Sequence, residues 1–446
     1  MDPVHAVPDQ QAMATPSLPE VHRSIVVPPG AGFWRKVLAF SGPGFLVAVG
    51  YMDPGNWATD IAGGSRFAYQ LISVLMISNL MAILVQALAA RLGIATQMDL
   101  AQACKAHYSR RTSIVLWVLC EIAIAACDLA EVIGSAIALN LLFHIPLLVG
   151  VCLTALDVLA ILYLQHRGFR YLEAVVVTLI GIIGACYLVE LLLVGPNGVE
   201  IARGLIPTPK ILTDAEMLYI AISILGATVM PHNLYLHSSL VQTRAIDRTP
   251  EGLATAMRYN FLDSFVALNF AFLINAAILI MAAGTFFRAG YTQVAEIQDA
   301  YHTLTPLLGT KMASVLFAVA LLCSGQNSTL TGTLAGQIVM EGFLNLRLVP
   351  WLRRLITRLL AIIPAVIAVV FFGQAGTAKL LILSQVILSL QLSFAVVPLV
   401  QFTSDRRKMG QFVNPRWLKF VAWLTAAVIA LLNAYLLVVI VQGWTH

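Results

Sequence analysis

The tetrapeptide DPGN at residues 53–56 interrupts the first long apolar stretch of this chain, and MPHN at residues 230–233 interrupts a later one. Inside a hydrocarbon layer every backbone N–H and C=O group needs a hydrogen-bond partner, so a helix broken at proline survives only where it lines a site or cavity. Each interruption therefore predicts a binding site. The side chains delivered there include a carboxylate, an amide, a thioether and an imidazole, which together favour a divalent transition metal over an organic substrate.

The composition defines the class of protein. Of the 446 residues, 59% are hydrophobic and 11% are charged, and the mean hydropathy is +0.85. Soluble domains carry about 25% charged residues, so the chain is predicted to be an all-α polytopic membrane protein. Apolar stretches of about 20 residues predict eleven transmembrane helices, at approximately 37–66, 71–96, 113–142, 145–165, 171–195, 216–243, 261–286, 308–340, 350–373, 379–402 and 417–442.

The distribution of Lys and Arg among the short loops predicts the orientation. Most of these residues lie in loops on one side, which the positive-inside rule assigns to the cytoplasm. The N-terminus is then cytoplasmic and the C-terminus outside. Because this topology accounts for the net charge of +5, no nucleic-acid partner is indicated. The short loops favour a bacterial inner membrane, with lipid as the surrounding partner.

The two interruptions also predict the domain organisation. They fall in the first and sixth apolar stretches, so the two halves enter the membrane in opposite directions, as in inverted five-helix repeats that meet at a midplane site. The predicted units are a disordered cytoplasmic tail at 1–34, a first repeat at 35–200, an inverted second repeat at 201–403, and a cytoplasmic loop with an eleventh helix at 404–446. A single proline would more simply kink a packed helix, but two matched interruptions that carry polar side chains favour a site.

The chemistry of the interruptions centres on Asp53. A carboxylate at the bilayer midplane needs a partner, and the sixth stretch contains no Lys or Arg, so a bound cation or a proton is expected. Asn56 can add an amide oxygen, and the carbonyl of Ala227 lies one turn before Met230. A thioether favours transition metals over Mg²⁺ and Ca²⁺, although most of the thirteen methionines are expected to fill the core.

Three acids in the third apolar stretch indicate a route for protons. Glu121, Asp128 and Glu131 are spaced seven and three residues apart, which places them near one helix face. With Arg353 and Arg354 at the start of the ninth stretch as possible partners, they predict a proton wire toward the cytoplasm. The alternative is a set of salt bridges that only positions helices.

Other polar residues in the apolar stretches are predicted to lie near the site, along the transport path or between packed helices. His232 is predicted to be a pH-sensitive neighbour of the site, and His237 to line the inner path or to serve helix packing. Asn275 and Gln326 are expected to form hydrogen bonds between helices or to line the aqueous route.

The motifs together resemble those of the Nramp family of proton-coupled manganese and iron transporters, and more closely its bacterial manganese-importing members. The resemblance rests on DPGN at 53–56 and ATVMPH at 227–232, and extends to DLAE at 128–131, SGQ at 324–326 and LSQ at 383–385. It covers the chain from the first stretch to the eleventh. It implies two inverted five-helix repeats plus an eleventh helix, and import of Mn²⁺ or Fe²⁺, with Cd²⁺ and Co²⁺ as further substrates, by proton symport and alternating access.

The resemblance also implies roles for individual residues. The implied metal ligands are Asp53, Asn56, Ala227 through its carbonyl, Met230 and, in some states, Gln385. The implied proton pathway has Asp53 as the loading site, Asp128 and Glu131 as relays, and a network between Glu121 and Arg354. The metal is the transported substrate, so no cofactor and no obligate protein partner are expected.

Two other classes of membrane protein, a channel and a transporter of organic solutes, are alternatives to this interpretation. A divalent-cation channel should show a pore-lining repeat or a ring of charges, which the sequence lacks. A sodium-coupled transporter of organic solutes can share the architecture, but its broken helices would more naturally present Gly and hydroxyl groups to an organic carboxylate than an acid such as Asp53. An enzyme is disfavoured because the loops are too short for a soluble domain.

Overall fold

The computed structural model describes residues 16–28, 30, 32–157, 163, 167–292, 296–346, 350–372 and 376–444. The helices are α1 (Phe33–Phe40), α2 (Pro43–Gly50), α3 (Pro54–Phe67), α4 (Ile72–Thr96), α5 (Leu100–His107), α6 (Arg110–Phe143), α7 (Leu147–Leu153), α8 (Phe169–Val194), α9 (Gly198–Gly204), α10 (Lys210–Thr213), α11 (Ala215–Thr228), α12 (Pro231–Leu240), α13 (Pro250–Ala282), α14 (Ile297–Leu308), α15 (Lys311–Leu344), α16 (Pro350–Phe372), α17 (Thr377–Thr403), α18 (Arg406–Met409) and α19 (Arg416–Trp444). Single 3₁₀ turns cover Thr154–Leu156, Val241–Thr243 and Gly410–Phe412, and Ala283–Phe287 is a π-helical turn.

The prediction of an all-α polytopic membrane protein is confirmed. Within the described ranges, eight helical segments are long and apolar enough to cross a membrane, with Ala215–Thr243 and its interruption counted as one, and two shorter apolar segments lie at Leu147–Leu156 and Arg358–Phe371. The interrupted first stretch adds α2 and α3, each too short to span the membrane alone. The total of eleven spans and the repeat boundaries remain predictions.

Both predicted interruptions are present, and proline begins the helix that follows each of them. Pro54 is the first residue of α3 and Pro231 the first residue of α12. Proline suits this position because the first N–H groups of a helix have no intrahelical acceptor. The unwound residues between α2 and α3 and between α11 and α12 therefore expose backbone groups in the interior of the molecule.

The broken helices lie at the centre of the bundle. Helix α3 packs against α11, α13 and α17, and α12 packs against α4 and α15. The carbonyl of Val47 in α2 accepts a hydrogen bond of 3.2 Å from the side chain of Asn233 in α12. This contact ties the first half of one broken helix to the second half of the other.

Part of the tail that the sequence predicts to be disordered has a defined structure. Ser17 donates a hydrogen bond to Asp99, the capping residue of α5, and Leu18 is buried. The strand β1 (Ile25–Val26) pairs in parallel with β2 (Arg244–Ala245). Polar composition predicted disorder for 1–34, but backbone pairing and a buried leucine fix residues 16–26 against the bundle.

One long helix also differs from its predicted start. Helix α13 begins at Pro250 rather than near residue 261. Thr249 caps it by accepting a 3.1 Å hydrogen bond from the backbone N–H of Gly252. The apolar pattern marks only the part of this helix that faces hydrocarbon, so the polar first turns were missed.

A carboxylate from α13 holds the start of α2. Oδ1 of Asp263 accepts from the backbone N–H of Gly42 at 3.2 Å, and Oδ2 accepts from Gly44 at 2.7 Å. A Cβ atom at Gly44 would lie 2.7 Å from the Cα of Ser264, so only glycine permits this approach. We call this contact the α2 clamp.

A salt-bridge network lies beside the clamp. Glu173 pairs with Arg170 at 3.0 Å and with Arg244 at 2.7 Å. Arg170 donates to the carbonyls of Ala39 and Ser41, each at 2.8 Å. The arginines thereby hold the end of α1 next to the start of α2.

Candidate metal site

Asp53 lies at the centre of the first interruption and is fully buried. Its Oδ1 accepts hydrogen bonds from the backbone N–H of Asn56 at 2.8 Å and from the side-chain Nδ2 of Asn56 at 2.6 Å. Its Oδ2 accepts from Nε2 of Gln385 in α17 at 3.3 Å. Within the described ranges Asp53 forms no ion pair with Lys, Arg or His, so its charge is met by amide groups and the Cys127 thiol.

The side chain of Asn56 joins the two interruptions. Its Nδ2 lies 2.6 Å from Oδ1 of Asp53, 3.3 Å from the carbonyl of Gly50 and 3.2 Å from the carbonyl of Ala227. An amide nitrogen has only two hydrogens, yet three oxygen acceptors surround it. Such convergence of a carboxylate and two backbone carbonyls is the environment that a cation takes.

Asn275 in α13 orients this group. Its Nδ2 donates to the carbonyl of Tyr51 at 2.6 Å and to Oδ1 of Asn56 at 3.3 Å. The Oδ1 atom of Asn275 is buried without a hydrogen-bond partner in the described part of the chain. Asn275 was predicted to serve as helix glue or path lining, and the structure places it directly behind Asn56.

Met230 lies in the second interruption and is also fully buried. It packs with Ala123, Cys127 and Leu388, and a Cβ atom at Gly50 would lie 3.1 Å from its sulfur. The sulfur of Cys127 is 4.0 Å from Oδ2 of Asp53. The thioether and the carboxylate therefore share Cys127 as a neighbour.

Two buried oxygens near the interruptions lack partners. Oε1 of Gln385 and Oγ1 of Thr228 form no hydrogen bond with the described residues. A buried polar atom without a partner is costly unless a ligand or water completes it. Gln385 was implied as a ligand, whereas Thr228 was not singled out; its position between Ala227 and Met230 was the available signal.

The His, Cys, Asp and Glu side chains of the described residues cannot by themselves form a complete set of metal ligands here. Among the described residues, no group of three or more such side chains could hold an ion. A metal at Asp53 would need the amide, carbonyl and thioether donors described above. That donor set excludes a conventional zinc site and is compatible with Mn²⁺ or Fe²⁺.

The predicted proton relays lie on α6, next to the metal site. Glu131 is buried, and its Oε1 accepts a hydrogen bond of 3.6 Å from the Cys127 sulfur. Asp128 is buried one turn earlier on the same helix. Cys127 thus contacts both Asp53 and Glu131, a role that the sequence did not indicate because a lone Cys in an apolar stretch usually fills the core.

The arginine that the structure places beside these acids is Arg358. Its Nη1 is 3.9 Å from Oε2 of Glu131, and its Nη2 is 3.0 Å from Oδ2 of Asp157. Arg353 and Arg354, the partners expected from the sequence, have side chains outside the described residues. The charges of Asp157 and Arg358 inside apolar stretches were a signal that each needs a partner, but not a signal of which residue that partner is.

Two further predicted residues have local partners. Gln326 donates to Oδ2 of Asp157 at 3.0 Å, so it belongs to the Arg358 cluster. Oε1 of Glu121 accepts from Nε1 of Trp117 at 2.9 Å within α6. The first contact joins separate segments and the second lies within one helix, and neither residue contacts Asp53 in the hydrogen bonds described.

The two histidines of α12 differ in their surroundings. His232 is buried, and its Nδ1 has no partner among the described residues. The ring of His237 lies 3.0 Å from Oε1 of Gln86 and 3.3 Å from Oγ of Ser264. Nε2 of Gln86 in turn donates to the Tyr51 hydroxyl at 2.7 Å. His237 therefore connects α12 to α4 and α13.

The fold and this site together define a class of protein. Two discontinuous helices from opposite halves of the chain bring unwound backbone and a buried carboxylate to one point in the membrane interior, which is the architecture of a secondary transporter.

The sequence model described as "Natural resistance-associated macrophage protein-like" (Nramp) matches residues 44–439. The chain belongs to the Nramp family, which is a family of metal-ion transporters and not of enzymes. The resemblance that the motifs indicated is confirmed.

Curated relatives and solved structures support this membership. The chain is 63% identical to the divalent metal cation transporter MntH of Nostoc sp., over 96% of this chain and 97% of the relative. It is 60% identical to that of Listeria welshimeri, over 96% of each. The crystal structure of the Eremococcus coleocola manganese transporter superposes with a TM-score of 0.87 at 45% identity, covering 94% of this chain and 90% of that one.

A more distant structure shares the fold alone. Mhp1, a nucleobase-cation-symport-1 family transporter, superposes with a TM-score of 0.61 at 15% identity, over 89% of this chain and 91% of that one. The fold is therefore common to transporters with different substrates.

Proposed function

We propose that this protein imports divalent transition metals, chiefly Mn²⁺ and Fe²⁺ and also Cd²⁺ and Co²⁺, by alternating access coupled to proton symport. The observation that carries the proposal is the convergence of three oxygen acceptors on Nδ2 of Asn56. The names of the relatives, which are divalent metal cation and manganese transporters, agree with it.

The proposed binding step is an exchange of the amide for the metal. Rotation of the Asn56 side chain would turn Oδ1 toward the same centre, so that the amide becomes a ligand. The cation would then take the oxygens that the NH₂ group contacts, from Asp53 and the Ala227 carbonyl. Gln385 supports this step because its Oε1 is buried without a partner.

Met230 is the proposed source of selectivity. Mg²⁺ and Ca²⁺ are hard ions that bind oxygen, whereas Mn²⁺ and Fe²⁺ tolerate a softer sulfur ligand. Met230 supports this role because it adjoins the unwound segment and shares Cys127 with Asp53.

The proposed proton pathway leads away from Asp53 along α6. A metal that binds Asp53 would displace its proton. Cys127 contacts both Asp53 and Glu131, and Asp128 lies one turn before Glu131 on the same helix. The Arg358 guanidinium offsets the charge that Glu131 gains on releasing a proton. His232 has the chemistry to take part as a nearby titratable group.

The proposed orientation follows the positive-inside rule, with the start of α2 facing the cytoplasm of a bacterial inner membrane and the end of α3 facing outside. Metal would then enter from the α3 side and leave past the α2 clamp.

The test is uptake into proteoliposomes that contain a Mn²⁺-sensitive dye. An inward proton gradient should accelerate uptake, and an equal sodium gradient should not. Asp53→Ala should abolish uptake and Mn²⁺ binding measured by calorimetry. Asp299→Ala, which removes an exposed acid from α14, is the matched control and should retain both. Uptake by Asp53→Ala at the rate of the unmodified protein would refute the proposal.

A further inference from the structure

Three buried polar side chains lie outside the metal site and outside the pathway along α6. Asp60 in α3 and Tyr187 in α8 are each 1% exposed, and Glu190 in α8 is fully buried. Oδ2 of Asp60, the Tyr187 hydroxyl and both carboxylate oxygens of Glu190 have no hydrogen-bond partner among the described residues. Neither acid forms an ion pair with a described Lys, Arg or His.

Ring packing between α3 and α8 brings these groups together. The centroids of the Trp57 and Tyr187 rings are 5.0 Å apart. Asp60 follows Trp57 by one helical turn, and Glu190 follows Tyr187 by one turn. Both carboxyl groups lie within electrostatic range of the Tyr187 hydroxyl. The phenol is therefore the group that the two acids have in common.

A surface cavity approaches Glu190 from the side on which α3 ends. The cavity has a volume of about 360 Å³ and is lined by Tyr69, Val194, Glu200 and Arg288, among others. Val194 follows Glu190 by one turn of α8, a rise of about 6 Å along the helix axis. Asp60 lies two turns beyond Asp53 on α3, about 10 Å along its axis. The three groups thus occupy the region between the cavity and the metal site.

Among the described residues that face this cluster, positive charge comes from Arg288 at the cavity, which forms no ion pair with either acid. The titratable and charged groups that face it from the described residues are Asp53 before the start of α3, Cys186 on α8, Cys323 on α15, and Tyr69, Glu200 and Arg288 at the cavity. An ionised carboxylate in a low-dielectric interior is strongly unfavourable without a partner. Each acid therefore has to hold a proton for most of the time.

We propose that Glu190, Tyr187 and Asp60 form a proton-binding relay through which protons enter from the α3 side. This inference rests on the proposed proton symport and assigns its entry route. Once Asp60 has passed its proton on toward Asp53, the Tyr187 hydroxyl releases its proton to the Asp60 carboxylate and accepts the proton of Glu190. The phenol is unchanged, and the Glu190 carboxylate then takes a new proton from the cavity.

The hydroxyl of Tyr187 is essential to this relay because it both donates and accepts a hydrogen bond. Phenylalanine keeps the ring packing against Trp57 and removes only that function. Glutamine at 190 keeps the shape of the side chain and cannot carry a proton. These two substitutions therefore separate proton transfer from packing.

The experiment measures proton and metal fluxes in the same proteoliposomes, with a pH dye and a Mn²⁺ dye enclosed, and measures Mn²⁺ affinity separately by calorimetry. For Glu190→Gln and Tyr187→Phe, proton influx per Mn²⁺ should fall at least fivefold, and uptake should lose its acceleration at acidic external pH. The Mn²⁺ dissociation constant should change less than twofold. Glu251→Gln, an exposed acid at the start of α13, should behave like the unmodified protein.

Several outcomes would overturn the relay. An unchanged proton-to-metal ratio and pH profile in folded Tyr187→Phe would exclude a role for the hydroxyl, even if Glu190→Gln failed to fold. A large loss of Mn²⁺ affinity in Glu190→Gln would mean that the acids bind metal and not protons. A failure of the proposed function itself would appear separately, as absence of Mn²⁺ uptake or of coupled proton influx in the unmodified protein.

Discussion

Replacing Asp263 with alanine is expected to release the start of α2 and to open the path on that side of the molecule. The carboxylate accepts hydrogen bonds from the backbone N–H groups of Gly42 and Gly44 at 3.2 and 2.7 Å. These groups begin a helix and have no intrahelical acceptor. Asp263 therefore caps α2 from a neighbouring helix, and the cap exists only while α2 stays in place.

The two hydrogen bonds set the magnitude of the effect. A hydrogen bond to a charged group contributes about 1.5–3 kcal/mol. With the smaller value for each of the two hydrogen bonds, the clamp stabilises the closed position of α2 by about 3 kcal/mol. That energy corresponds to a change of about 150-fold in the equilibrium between closed and open. The salt bridges of Glu173 still hold the end of α1 after the substitution. The observed change in this equilibrium should therefore lie between about tenfold and about 150-fold.

Thiol labelling reports the opening. Ser264 is buried and packs against Gly44, so a cysteine introduced as Ser264→Cys is protected while α2 is in place. In a background that lacks the six native cysteines, Asp263→Ala should raise its rate of reaction with a membrane-impermeant maleimide at least tenfold. Asp263→Asn retains one acceptor oxygen and should give a smaller increase.

The matched control is Asp247→Ala, which removes an exposed acid near the start of the same helix. It should leave the labelling rate unchanged. A rate within twofold of the reference in a folded Asp263→Ala protein would refute the reasoning, because it would show that α2 does not depend on this cap.

Three other predictions concern separate parts of the molecule. Met230→Ala should weaken discrimination against Mg²⁺ and Ca²⁺ more than it weakens Mn²⁺ uptake, as measured by competition in proteoliposomes; a flat competition profile would contradict the sulfur filter. Arg358→Gln leaves Asp157 and Glu131 without their buried cation and should cost about 3–5 kcal/mol of stability, seen as a lower thermal midpoint. Burial raises the pKa of Asp99 to about 6, so the folded state retains a proton that the unfolded state releases. Thermal stability should therefore fall as the pH rises from 5 to 7, and Asp99→Asn should lose most of this dependence.

The parts of the structure that the sequence predicted are those where a local pattern has one physical solution. Proline within an apolar stretch permits few backbone arrangements, and this is why the interruptions at Pro54 and Pro231 were found. Asp53 and Met230 were assigned to one region because the two interruptions match. No sequence pattern around either residue alone indicated this. Their detailed surroundings, such as the shared neighbour Cys127, depend on packing between distant helices.

Pairings between distant segments were not predictable in the same way. Asp157 and Arg358 lie in different apolar stretches, and nothing in the spacing of either selects the other as its partner. The contact of Ser17 with Asp99 was missed for another reason. A polar segment gives no periodic signal when its order comes from a few buried contacts with the rest of the molecule.

The proposed metal site and the clamp lie at opposite ends of the same short helix. The carbonyl of Gly50, the last residue of α2, contacts the Asn56 amide, and the N–H groups of Gly42 and Gly44 contact Asp263. An eight-residue helix is about 12 Å long and moves as a unit. Under the proposed binding step, a cation that replaces the amide at one end would therefore change the position preferred at the other. Coupling free energies are reciprocal. If metal binding shifts α2 toward or away from its open position by some factor, loss of the clamp in Asp263→Ala must change the Mn²⁺ affinity by a related factor.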